Sequence, residues 1–93
     1  MYYVYMLRCT DGSLYTGSTD DIDRRYAAHV AGKGAKYTKS HPPVALVAAW
    51  RTETKSEALK LEYRIKRFKK KEKERIVRGD AVPWDNSAMR ITE

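Results

Sequence analysis

At 93 residues the chain has the length of one domain, which buries about 60–65% of its unfolded surface, so one core is expected and no second domain. Apolar residues at 42% and charged residues at 33% exclude a disordered chain, and the lone Cys9 excludes an internal disulfide and makes a poor zinc set with His29 and His41. Nineteen Lys and Arg against twelve Asp and Glu leave a net charge of +7, concentrated at Lys33–Lys39 and Lys66–Arg78, which favours a polyanionic partner over a solvated cationic face only if other features agree.

Residues 2–9, Tyr-Tyr-Val-Tyr-Met-Leu-Arg-Cys, carry aromatic, β-branched and long apolar side chains without Gly or Pro, which predicts a strand buried on both faces. Thr10-Asp11-Gly12-Ser13 is a turn signal, and Leu14 to Thr19 makes the returning strand of a hairpin. Thr19 or Asp20 can cap a helix from about 21 to 31, with Ile22, Tyr26 and Val30 as its apolar stripe and Gly32 closing it. Residues 32–43 read as a loop carrying Lys33, Lys36 and Lys39 around Gly34 and Tyr37. Val44 to Trp50 predicts a third strand. Thr54 and Glu57 fit a capping box for a helix running to about Phe68, with Ala58, Leu61, Ile65 and Phe68 on one face. A last helix over 69–78 packs through Ile76 and Val77 and stops at Gly79. The expected fold is α+β: a small three-stranded antiparallel sheet flanked by helices, in the order β-β-α-β-α-α. Residues 1–80 form its domain, and 81–93 are expected to be a partly disordered tail. With no basic leader at Met1 to Met6 and no apolar run near the ~20 residues that span a bilayer, the expectation is a cytoplasmic bacterial protein without membrane contact.

Some residues are not explained by packing. Glu62 lies four after Ala58 and three before Ile65, on or beside an apolar stripe, where a carboxylate needs a partner. An ion pair with Arg64, Lys66 or an arginine on a strand would satisfy it; otherwise it is a candidate functional group. Arg25 and His29, four apart, project together from the first helix and could equally be surface residues. Tyr3, Tyr5 and Tyr15 could be core aromatics.

Taken in order, Tyr3-Val4-Tyr5, Tyr15-Thr16-Gly17, Arg25, His29 and Glu62 resemble the GIY-YIG nuclease family over about residues 2–78. Tyr3 stands where the family has the first Gly, and Val4 and Thr16 replace its isoleucines, while Gly17 is kept. The chain is most similar to the small stand-alone bacterial members of a family that includes the incision domain of excision-repair nucleases. The resemblance implies a metal-dependent DNA endonuclease with Tyr5, Tyr15, Arg25, His29 and Glu62 as catalytic residues. Glu62 is the carboxylate that would hold a single Mg²⁺ or Mn²⁺, since one candidate carboxylate argues against a two-metal site. The general base is open between Tyr5 and His29. Arg25 suits phosphate because its fork of donors is always charged.

The hairpin carries a geometric condition. A two-residue Asp-Gly turn would put Tyr5 and Tyr15 on opposite faces, whereas a three-residue Thr10-Asp11-Gly12 loop with left-handed Gly12 pairs Tyr5 with Gly17 and puts both tyrosines on one face. The second is predicted.

Lys33, Lys36, Lys39, Lys66, Arg67, Lys69 and Lys70 are the expected phosphate contacts, with Tyr37 stacking on an exposed base. No motif for reading bases is present, so cutting is expected to be structure-selective or nonspecific, on DNA first and RNA second. A targeting protein could dock near Trp84, and the chain is expected as a monomer or weak dimer. The rival reading is a nucleic-acid-binding module that keeps the fold without cutting.

Overall fold

A computed structural model describes residues 1–81 and 89–91, with Met89 described in its backbone alone. Strands β1 (Tyr2–Cys9) and β2 (Leu14–Thr19) form the hairpin, followed by helix α1 (Ile22–Val30), a short helix α2 (Lys36–Ser40), strand β3 (Pro43–Thr52), helices α3 (Lys55–Lys66) and α4 (Lys70–Arg78), and a two-residue strand β4 (Met89–Arg90). All pairings are antiparallel, in the order β2-β1-β3-β4. The three-stranded sheet flanked by helices is as expected from the sequence. The structure adds β4 at the β3 edge and α2 within the segment read as a loop. Residues 82–88, with Trp84, and 92–93 lie outside the described residues.

The hairpin takes the three-residue form. Gly12 adopts φ +85, its N–H donates to the Cys9 carbonyl, and Cys9 N–H bonds Ser13 across the loop. The register that follows pairs Tyr5 with Gly17 and Leu7 with Tyr15, so the side chains of 5, 7 and 15 share one face.

Because β1 is central, the sheet has two cores. On one face Val4, Met6, Ala48 and Trp50 pack against Ala58, Leu61 and Ile65 of α3 and Ile76 of α4. Each such large side chain contributes about 1.5–3 kcal/mol by leaving water, and Trp50→Ala would cost about 3–5 kcal/mol. On the other face Tyr5, Leu7 and Ala49 meet Ile22 and Tyr26 of α1, with Tyr15 and Leu46 beside them.

Two expectations about α1 are corrected. Its cap is Asp21, whose side chain accepts from Arg24 N–H, while Thr19 instead accepts from Asp21 N–H. Its stripe does not include Val30, which is 58% exposed; His29 is the residue buried there. At 3.6 residues per turn, position 29 falls within about 20° of Ile22 around the axis, whereas position 30 is turned about 80° away. The capping box at Thr54 and Glu57 forms as expected, and Gly79 ends α4 in a left-handed cap. Arg8 of β1 grips Glu74 of α4 through two bonds of 2.5 and 2.6 Å, which fastens α4 to the sheet.

Candidate active site

Tyr5 lies on the α1 face of the central strand, opposite a glycine. A Cβ at Gly17 would stand 2.6 Å from the Tyr5 hydroxyl oxygen, 2.8 Å from its Cζ and 3.1 Å from Tyr15 Cε2. Gly17 does not have a positive φ, so glycine is needed for close approach and not for backbone freedom.

Helix α1 brings His29 over this gap. Tyr5 Oη and His29 Nε2 are 2.7 Å apart, and His29 Nδ1 is 2.7 Å from Thr38 Oγ1 of α2. Thr38 Oγ1 also donates to the Ala35 carbonyl at 3.1 Å and accepts from Ala35 N–H. The Tyr15 ring centroid lies 5.1 Å from His29 and 6.4 Å from Tyr5. Arg25, one turn before His29, donates to the Gly34 carbonyl at 3.3 Å, and its charge acts on the Tyr5 hydroxyl.

Burial sets the protonation of the pair. It pushes Tyr5 up to about 12, and the neighbouring Arg25 offsets this only in part. Burial, with Arg25 second, lowers His29 below the ordinary histidine range. At neutral pH the pair is therefore a phenol beside a neutral imidazole. Both are sequestered, at 2% and 0% exposed, while Tyr15 and Arg25 are half-buried and border solvent.

Glu62 reaches the same strand from the other side. It sits on α3, accepts from Ser18 Oγ of β2 at 2.6 Å and pairs with Lys66 at 2.6 Å. Its charge is among the causes that raise Tyr5. The ion pair with Lys66 is one of the partners expected from the sequence.

Residues 1–75 match the GIY-YIG catalytic domain. The chain belongs to the GIY-YIG family. It is 46% identical over 91 residues to the UPF0213 protein BH0048 of Halalkalibacterium halodurans, covering 98% of this chain and 97% of that one. A UPF0213 protein of Cupriavidus necator is 51% identical over 72 residues, covering 77% of this chain and 78% of its own. The solution NMR structure of the UPF0213 protein BH0048 from Bacillus halodurans superposes with a TM-score of 0.56 at 48% identity, covering 89% of each chain. The chain and the first of these relatives align over nearly the whole length of both.

Of the five residues that the GIY-YIG motif singles out, Tyr5, Tyr15, Arg25 and His29 gather around one hydroxyl, and Glu62 approaches from across the β2 edge. Among the described residues no three of His, Cys, Asp and Glu are grouped to hold a metal. A single carboxylate is nevertheless a fitting donor for a hard cation that keeps most of its water. The Lys66 ammonium on Glu62 shows that this oxygen accepts a cation, and Lys66 is half exposed and able to leave.

The expected phosphate contacts fall in two groups. Lys33, Lys36 and Lys39 stand exposed on the segment that ends in α2, around Tyr37. Tyr37 stacks between Tyr15 at 6.0 Å and His41 at 4.4 Å, and donates to Ser13 Oγ at 2.6 Å. Across the molecule, Lys66 is engaged by Glu62, Arg67 lies over the Tyr63 ring, Lys69 caps α4, and Lys70 donates to the Gly12 carbonyl at 3.0 Å.

Three residues of the site were not singled out from the sequence. Ser18 follows Gly17 and carries the only sequence hint, its place beside the motif. Gly34 lies flat against His29, and a Cβ there would overlap the imidazole ring, within 2.7 Å of Cγ. Thr38 sits in a basic polar stretch, and no local pattern marks it as buried.

Proposed function

We propose that this chain is a divalent-metal-dependent endonuclease that hydrolyses DNA phosphodiesters structure-selectively or without sequence preference. The observation that supports it most is the hydrogen-bonded pair of Tyr5 and His29, with the Arg25 and Glu62 charges both acting on the same hydroxyl.

In this reading the scissile phosphate meets Arg25, whose charge balances what gathers on the phosphoryl oxygens in the transition state. Tyr15 borders the phosphate and holds it against Arg25. The attacking water passes its proton to Tyr5 while Tyr5 passes its own to His29 Nε2. A relay suits the protonation of the pair, since a free Tyr5 phenolate, at about 12, is scarce at neutral pH, while a neutral buried imidazole is ready to accept. Glu62 would hold one Mg²⁺ or Mn²⁺, and the chemistry supplied there is neutralisation of charge on the phosphate and leaving oxygen. Lys33, Lys36 and Lys39 bind the backbone without reading bases. A protein of this activity would work in the bacterial cytoplasm on damaged or branched DNA.

One observation favours a second reading. Glu62 is already satisfied by Ser18 and Lys66, as it would be in a binding module that does not cut. The test is nicking of supercoiled plasmid and of flapped or branched DNA with Mg²⁺ or Mn²⁺. The nuclease nicks, Glu62→Ala and Arg25→Ala lose at least about 10²-fold, and Glu62→Ala still binds. A wild type that binds these substrates and cuts none of them with either metal is the binding module.

A further inference from the structure

The hydrogen bonds from Tyr5 through His29 to Thr38 form a chain whose far end fixes its direction. The Tyr5 hydroxyl is 2% exposed, so it needs a partner inside the protein. The atom it meets is His29 Nε2, 2.7 Å away. At the far end the Ala35 carbonyl can only accept, and it takes the Thr38 hydroxyl proton at 3.1 Å. With that proton committed, and with Ala35 N–H donating to the same oxygen, Thr38 Oγ1 meets His29 Nδ1 as an acceptor at 2.7 Å. The imidazole therefore carries its proton on Nδ1 and turns a bare Nε2 toward Tyr5.

We propose that Thr38 is a positioning residue that selects this tautomer of His29. The opposite tautomer would put a bare Nδ1 against a Thr38 oxygen whose proton is already given to Ala35, acceptor facing acceptor, and would leave Nε2 protonated and unable to take the Tyr5 proton. Burial makes the choice consequential: His29 is fully buried and Thr38 is 1% exposed, so water cannot stand in for the missing acceptor. Gly34, flat against the ring, lets α2 approach closely enough for the contact. The basic segment that would bind the DNA backbone thus also holds the imidazole in register. The catalytic consequence rests on the nuclease reading; the tautomer itself does not.

The test is ring-nitrogen NMR of ¹⁵N-histidine-labelled protein at pH 7, which distinguishes a protonated from a bare nitrogen in each imidazole. In the wild type His29 should show Nδ1 protonated and Nε2 bare. Thr38→Ser keeps the hydroxyl and should keep both the spectrum and the cleavage rate. Thr38→Val removes the acceptor and should shift His29 toward the Nε2–H form, with cleavage reduced about 10²-fold and DNA affinity unchanged. A wild-type spectrum with Nε2 protonated overturns the proposal without any variant being made, as does a folded Thr38→Val protein whose His29 keeps the wild-type pattern. If the wild type never cuts DNA, the nuclease reading fails while the spectra still decide the tautomer.

Discussion

Gly17→Ala separates close approach from local propensity, because the two predict opposite signs. Position 17 has no positive φ, so alanine there brings no backbone strain. On propensity alone it should stabilise the strand by about 0.5–1 kcal/mol. The tertiary geometry predicts the reverse. The new methyl would stand 2.6 Å from the Tyr5 hydroxyl oxygen, and restoring an ordinary contact requires a shift of about 0.8 Å. Tyr5 is 2% exposed and has little room. A displacement of that size along the bond would stretch the 2.7 Å link to His29 to about 3.5 Å, beyond hydrogen-bond range. Overpacking of this kind costs about 1–3 kcal/mol, and each kcal/mol lowers Tm by about 4–8 °C in a domain of this size. Misplacing a reacting group by nearly an ångström costs about 10²-fold in rate. Thermal unfolding and plasmid nicking, run side by side, measure both. A Gly17→Ala protein as stable as the wild type that nicks at the wild-type rate would refute the steric account.

Thr16, in the same triplet, is 3% exposed and its hydroxyl has no hydrogen-bond partner among the described residues; Thr16→Val keeps the shape, removes the stranded group and should stabilise by about 1 kcal/mol in chemical denaturation. Because His29 is held neutral below the ordinary histidine range, the unfolded chain takes up this proton first as pH falls. Stability should therefore drop below about pH 6.5, more steeply in the wild type than in His29→Gln, and the acid limb of the cleavage rate should also lie below that pH. Replacing Lys36 or Lys39 by Gln should weaken DNA binding alike across sequences and reduce the salt slope by about one for each phosphate left without its lysine, read by titration at several ionic strengths.

The sequence was most legible where a local rule and a site requirement pointed the same way. The hairpin is the clearest instance: Asp-Gly alone favours a two-residue turn, but only the three-residue loop lets Tyr5 and Tyr15 share a face, and Gly12 at φ +85 provides it. Lys66 as a partner for Glu62 was legible because one helical turn separates them. Val30 was misjudged because apolar character was weighed above helical phase, which favours His29. Strand β4 was hidden because two residues carry no periodicity, and its attachment is tertiary: Arg90 donates to the Ile76 and Val77 carbonyls at the end of α4.

Thr38 and Gly34 mark a different limit. Neither owes its role to its own segment, since one is a hydroxyl and the other an absent side chain, each defined by the His29 ring that α1 brings to it. The motif residues name the groups that can move a proton or bind a phosphate. They do not say which nitrogen of His29 bears its proton, and a Tyr5–His29 pair with the wrong tautomer has the same motif and the same spacing. What distinguishes a poised pair from an idle one is the direction of a hydrogen-bond chain, and that direction is set at its far end, by a backbone carbonyl ahead of α2.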